Sequence, residues 1–393
     1  MATKPVLLFT TSTGNLGDTT VQIELARACA ADFEPIFLCY GFKFQHLIQA
    51  AGFRTLFPPP YRRSRIAPRP EKFVRQIEAE AAIMRRYRPV AVINKHEMGP
   101  RFSARLAGVP LVWVLPYAWT RLCQENQWAG RSPLLAAQHW FNGQPLPEEA
   151  TFLWPYQETA RRLGLTPPAT FHDLFSGDLI LIHELPELLG ITEIPAQYRL
   201  VGPVFAHYPG ELPAALQALD PSRPILYFAL GSSGDPELIP TFLALFAARP
   251  EWQIIAPIEH LLAATGRPAP ANVIVTGLLP ALAANRLANL AITHGGLGTL
   301  ATACLAGTPI LALGMFPEQE LNIAHLVHWG NARALSRAML NQQQFLPLVD
   351  RALADQTLAA RAQAMQRLFS QQDGAACAAA HLRHFLAKQT VLG

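Results

Sequence analysis

Short aliphatic runs, each about one strand long, alternate along this chain with stretches of helical period, and the alternation stops once and then begins again. In the first half the runs are Val6–Thr11 (VLLFTT), 35–40 (PIFLCY), 90–94 (VAVIN) and Leu111–Leu115 (LVWVL), and residues 20–30 (TVQIELARACA) have helical spacing. Such alternation is expected of a parallel sheet wrapped by helices. A proline- and glycine-rich segment over 201–213 breaks the pattern, which restarts with strand-like runs at 225–230, 253–257, 272–276, 290–294 and 309–313. The expected fold is therefore α/β, with two Rossmann-like, doubly wound domains. Their expected bounds are 1–202 and 223–375, with a linker over 203–222 and a C-terminal helix over 376–393 packing back on the first domain. With 393 residues, half of them apolar, the chain can fill two separate cores. Sheets of this kind bind ligands beyond the C-terminal ends of their strands, so two of them facing one another would share a cleft.

Several function classes are disfavoured. A net charge of +4 is mild for this length, and no aromatic-basic pattern or zinc-finger spacing points to nucleic acid. The five cysteines, Cys29, Cys39, Cys123, Cys304 and Cys377, show no CxxC spacing and are expected to be reduced and mostly buried. No apolar run reaches the ~20 residues of a membrane-spanning helix, and the N-terminus enters a strand-like run without a signal-peptide pattern. The expectation is a cytoplasmic protein.

Three loops after strands carry chemistry. In the first, residues 293–309 (THGGLGTLATACLAGTP), a strand ends at His294, a Gly-Gly-x-Gly-Thr turn follows and a helix starts. Glycines let the backbone approach an oxyanion, and the N–H groups at a helix start favour a diphosphate. His294 and the Thr299 hydroxyl would add donors; the plain alternative is a tight turn that binds nothing. The second loop, 230–239 (LGSSGDPELI), offers Ser232 and Ser233 toward a phosphate, or simply a helix capped by Asp235. The third, 10–20 (TTSTGNLGDTT), puts Asp18 at the edge of a helix, as its N-cap, as a base, or as both.

With these residues in view, the chain resembles the nucleoside-diphosphate-sugar glycosyltransferases of the GT-B fold, namely the bacterial enzymes acting on antibiotics, sterols and macrolides and the plant UDP-glycosyltransferases. The resemblance covers both halves and is densest over 272–333. There Pro280, His294, Gly295, Gly296, Gly298, Thr299, Glu318, Gln319 and Asn322 stand at the family's spacing. It implies that Ser232, Ser233, His294, Gly295, Gly296, Gly298 and Thr299 hold the donor diphosphate and that Glu318 and Gln319 bind the donor sugar. Gly14-Asn15-Leu16-Gly17-Asp18 is similar to the Gly-x-x-Gly-Asp loop of the antibiotic and sterol branch, which makes Asp18 the candidate general base. The nucleoside positions depart from the pattern. Leu278, with Leu279 beside it, stands where plant members carry a stacking Trp; Ala281 replaces a Gln, and Thr302 a ribose-binding Glu. A UDP-sugar and a dTDP-sugar both remain open as donor.

The implied reaction is a single, inverting displacement that moves a hexose-type sugar to an acceptor hydroxyl. Asp18 would take the proton, and the donor loop would stabilise the leaving diphosphate. The chain contains no Asp-x-Asp, so neither metal nor other cofactor is expected. Two alternatives share these loops: a nicotinamide-dependent oxidoreductase using Gly296-x-Gly298-x-x-Ala301 with Glu318 downstream, and a non-catalytic sugar-nucleotide-binding protein. Five of the seven tryptophans fall within 113–156, and such a cluster is either core or the wall of a site for an apolar or aromatic acceptor, small molecule or lipid, touching Gly17, His96, Trp119 and Trp140. The basic run over 61–76 is a solvated loop or a patch for peripheral contact with an anionic membrane.

Overall fold

The computed structural model of the chain describes residues 4–58, 69–141, 144–191, 193–206, 210–231 and 234–392. The chain divides into two compact units, one formed by 1–206 with 373–393 and the other by 207–372. Each unit is a parallel sheet flanked by helices.

The first sheet has seven strands: β1 (Val6–Thr11), β2 (Glu34–Cys39), β3 (Arg54–Leu56), β4 (Ala91–Lys95), β5 (Leu111–Leu115), β6 (Leu179–Ile182) and β7 (Tyr198–Leu200). Their order is β3-β2-β1-β4-β5-β6-β7, every pairing parallel. The central strands are buried along almost their whole length, which explains their mostly apolar sequences. From β1 the chain builds outward through β2 to β3, then returns to β1's other side with β4. The β1/β4 junction is thus the switch point of the sheet, where loops leave in opposite directions.

The helix Leu16–Cys29 covers one face of this sheet, and the last helix, Gly374–Leu392, packs against it. Leu25, Ala26 and Cys29 share a core cluster with Ala378, Ala379 and Leu382. The start of the last helix comes close to the preceding backbone: a Cβ on Gly374 would stand 2.4 Å from the Pro203 carbonyl oxygen.

The second sheet has six strands: β8 (Ile225–Ala229), β9 (Gln253–Ala256), β10 (Val273–Val275), β11 (Leu290–Thr293), β12 (Ile310–Leu313) and β13 (Ala332–Leu335). The order is β10-β9-β8-β11-β12-β13, again parallel throughout, so its switch point lies between β8 and β11. Phe228, Phe242, Phe246, Trp252 and Phe345 lead its core. All five cysteines are unpaired thiols, four of them buried and Cys377 half-buried.

Candidate active site

The loops at the two switch points carry Gly17, Asp18, His96, His294, Gly295, Gly296, Gly298 and Thr299 among the residues singled out from sequence. In the first unit β1 leads through Ser12 and Thr13 to Asn15, whose side chain caps the helix by accepting from the Gly17 N–H at 2.9 Å and the Asp18 N–H at 3.4 Å. Asn15 therefore holds the N-cap position that the sequence left open to Asp18. Asp18 stands one turn further in, buried, while Gly17 beside it is exposed.

The partners of Asp18 come from β4. Its Oδ1 lies 3.1 Å from His96 Nδ1 and 3.9 Å from Lys95 Nζ. Neighbouring side chains on an extended strand point to opposite faces. Here His96 turns into the left-handed region at φ 60, which lets both consecutive residues reach one carboxylate. The turn is fixed from within, because Asn94 Nδ2 donates to the Glu97 carbonyl at 2.7 Å and Thr10 Oγ1 donates to Asn94 Oδ1 at 2.7 Å.

Lys95 is held from a third strand. Its Nζ is 2.9 Å from Nε2 of His183, the first residue after β6. An ammonium only donates, so Nε2 is the acceptor and the ring's proton sits on Nδ1. Burial, together with the Lys95 charge, pushes the His183 pKa well below 6.5 and keeps the ring neutral. Behind the turn, Ser103 Oγ and Gln76 Nε2 donate to the fully buried Glu80 carboxyl at 2.7 and 2.6 Å, and Gly99 leaves it room. Burial pushes Glu80 up to about 7. Lys95, His183 and Glu80 were not legible from sequence, although a residue ending an aliphatic run such as LILI is a signal of the kind that exposed His96.

Trp119 and Trp140 do not form an open wall. Both are buried; the Trp119 ring lies 4.7 Å from that of His96 and 5.1 Å from that of Trp140. The tryptophans are core that backs His96, which corrects their expected role as an exposed acceptor surface. Of the basic run, Arg69, Lys72 and Arg75 are exposed, and 61–68 lie outside the described residues.

In the second unit β11 ends beside His294, and Gly295 follows at φ 78. The helix Leu297–Ala306 then begins at Gly296 with no side chain capping its N–H groups. The His294 ring is held between two glycines from different strand ends. A Cβ on Gly231, which follows β8 at φ 69, would stand 2.5 Å from the ring's Cε1; one on Gly296 would stand 2.5 Å from its Nε2. Burial brings the His294 pKa down to about 4, so the imidazole is neutral, and a hydrogen bond to the Ala229 backbone works against that shift. Gly298 is exposed with open space where a Cβ would stand, and Thr299 is half-buried. Ser232 and Ser233 lie outside the described residues.

The helix Pro317–Trp329 closes the back of this loop, with Asn322 Nδ2 donating to the Gly295 carbonyl at 3.1 Å. Gln319 is buried and its Oε1 accepts from the Met315 N–H at 2.9 Å, which leaves Glu318 as the half-exposed carboxylate of the pair. Leu278 is 50% exposed whereas Leu279 is core, so of the two residues expected at the nucleoside only Leu278 presents an open apolar face. The Thr302 hydroxyl donates to the Gly298 carbonyl one turn back, at 2.7 Å. Among the described residues no cluster of three or more His, Cys, Asp or Glu could hold a metal ion, and no helix is long and apolar enough to cross a membrane.

These ionisations give stability a pH dependence. A histidine kept neutral in the fold binds its proton only when unfolded, so His294, His183 and His172 favour unfolding as pH falls from 6.5 toward 4. Glu80 acts in reverse: its contribution is complete below 4.5 and lost as pH rises through about 7. Relative to wild type, Glu80→Gln is therefore expected to gain stability between pH 5 and 8, on the order of 3 kcal/mol at most. Urea denaturation at both pH values measures this, and parallel curves would show that Glu80 is ionised throughout.

No family model matches the chain. A PGL/p-HBAD biosynthesis glycosyltransferase of Mycobacterium tuberculosis (strain ATCC 25177 / H37Ra) is 28% identical over 294 residues, 71% of this chain. The match spans 66% of that relative's length, just under two thirds. Among solved structures, the glycotransferase of kitacinnamycin superposes with a TM-score of 0.77 at 18% identity, covering 98% of this chain and 100% of the other. The spinosyn rhamnosyltransferase SpnG complexed with thymidine diphosphate gives 0.66 at 19% identity, covering 94% and 98%. The fold is GT-B, and the chain's relatives in sequence and in fold are glycosyltransferases.

Proposed function

We propose that this chain, a GT-B-fold relative of the bacterial glycosyltransferases, moves a hexose-type sugar from a UDP- or dTDP-sugar to a hydroxyl of an apolar or aromatic acceptor. The observation that carries the proposal is the neutral His294, held between Gly231 and Gly296 beside an uncapped helix start at a sheet's switch point. N–H groups fixed in this way stabilise the charge that develops on a departing diphosphate without having to reorganise. A neutral imidazole donates one hydrogen bond and adds no charge of its own. Glu318 would receive the sugar hydroxyls, and Leu278 would lie under the base.

On the acceptor side Asp18 is the general base. It accepts the hydroxyl proton as the oxygen attacks the anomeric carbon; the bond to diphosphate breaks, and one displacement inverts the configuration. His96 and Lys95 hold the carboxylate from one side. The thymidine diphosphate bound by SpnG and the glycosyltransferase relative from Mycobacterium tuberculosis support the donor class. The oxidoreductase alternative fits less well, because its glycine fingerprint belongs after the first strand of a domain. Here Gly296 and Gly298 follow β11, the fourth strand of the second unit.

The test is release of nucleoside diphosphate from UDP- and dTDP-hexoses with phenolic, sterol and lipid acceptors, in EDTA. Acceptor-dependent release that EDTA leaves intact, with an inverted anomeric centre in the product, is expected. Release that stops in EDTA would rule out the metal-free form. Tight NAD(P)H binding without sugar-nucleotide binding would favour the oxidoreductase, and donor binding without turnover a binding protein.

A further inference from the structure

We propose that Phe42 and Phe57 form a binding subsite for the apolar part of the acceptor, an inference that rests on the transferase assignment above. Phe42 is 75% exposed and Phe57 38%, and their rings stack with centroids 5.1 Å apart and planes 25° from parallel. Single exposed apolar side chains, such as Trp154, are ordinary on a protein surface. A stacked pair at the C-terminal end of a parallel sheet is different, because that end is where such sheets hold ligands.

Position follows from the strands. β2 and β3 pair with Leu38 opposite Leu56, so the two phenylalanines leave the sheet at the same end, just beyond Cys39 and Leu56. The segment carrying Phe42 is tied to the loop that leads to Asp18. Tyr40 N–H donates to the Thr11 carbonyl at 3.3 Å and Phe44 N–H to the Thr13 carbonyl at 2.9 Å. A Cβ on Gly41 would stand 3.2 Å from Thr13 Oγ1. Two residues past Thr13, Asn15 caps the Asp18 helix. The core needs neither exposed ring, since the buried Phe44 and Ile48 already pack this corner.

Size selects the occupant. Fully buried aromatic side chains remove roughly 150–250 Å² each from water, whereas a stable protein interface takes about 1,200–2,000 Å². Two rings fit a ring or short alkyl chain, which the stacked pair meets preformed. With Trp119 and Trp140 buried behind His96, this stacked pair is an open aromatic surface among the described residues of the first unit.

Calorimetric titration of the full chain with 4-pentylphenol and with phenol tests the proposal without needing turnover. Wild type is expected to bind 4-pentylphenol more tightly, and Phe42→Ser to weaken 4-pentylphenol about tenfold while leaving phenol binding and the thermal midpoint unchanged. No binding of 4-pentylphenol by wild type, an undiminished affinity in the variant, or an equal loss for both phenols would overturn it. So would a Phe42→Ser/Phe57→Ser variant that keeps its preference but no longer binds phosphatidylglycerol vesicles, a result that would assign the pair to a lipid surface. Selective loss of 4-pentylphenol binding in a protein that transfers sugar to none of the phenolic, sterol and lipid acceptors would uphold an apolar ligand subsite and reject the transferase, so the two failures are separable.

Discussion

Asp18→Asn is expected to lower acceptor-dependent release of nucleoside diphosphate by roughly a thousandfold, with little change in donor affinity. Asparagine keeps the shape of the side chain and an oxygen toward His96 but cannot take up a proton at neutral pH. The proposed donor cradle around His294 belongs to the other unit, so sugar-nucleotide binding should persist. Stability will not be untouched. The carboxylate faces the buried Lys95 ammonium at 3.9 Å, and removing one member of a buried charge pair leaves the other uncompensated. Turnover should therefore be compared well below the variant's thermal midpoint. A variant within tenfold of wild type would exclude Asp18 as the base.

The donor side supports a paired experiment. Gly296 has φ −69 and ψ 135, which alanine adopts freely, so Gly296→Ala acts only through the Cβ that would stand 2.5 Å from His294 Nε2. The ring must move, and donor affinity is expected to fall by about a hundredfold, the scale of losing a fixed donor and its alignment. Gly298 has no neighbour within 4 Å of its Cβ position. Gly298→Ala should leave the thermal midpoint where it is and still weaken the donor about tenfold, because a methyl group there would occupy the space a diphosphate needs. If Gly298→Ala binds UDP- and dTDP-sugars as wild type does, the diphosphate lies elsewhere.

The central strands were legible because burial on both faces makes them mostly apolar, as in Leu111–Leu115 and Leu290–Thr293, where Thr293 alone is polar. Of the four edge strands only the aliphatic Val273–Val275 was legible. Arg54–Leu56, Tyr198–Leu200 and Ala332–Leu335 are three or four residues long and partly exposed, and each contains an arginine, so neither length nor periodicity separates them from loop. The donor loop was legible because its chemistry is local: histidine, glycines and helix start are consecutive. The setting of Asp18 was not, because Lys95, His96 and His183 reach it from two other strands, and only the order β1-β4-β5-β6 brings those ends together. Trp119 and Trp140 show the opposite error: an aromatic cluster in sequence does not reveal which of its rings the core takes in.

The connectivity of the first unit bears on how the protein is made. Residues 373–393 belong to the same unit as 1–206, so 207–372 forms an insertion within it. A ribosome releases the first sheet long before the helix that shares its core cluster, and Leu25, Ala26 and Cys29 wait for Ala378, Ala379 and Leu382 until the inserted unit has been made. During that interval the inserted unit, contiguous in sequence, can finish folding first. The nascent chain thus emerges with its N-terminal sheet lacking the helix Gly374–Leu392 and apolar side chains uncovered, a period in which chaperone capture or aggregation competes with closure, and translation speed through the insertion sets how long it lasts.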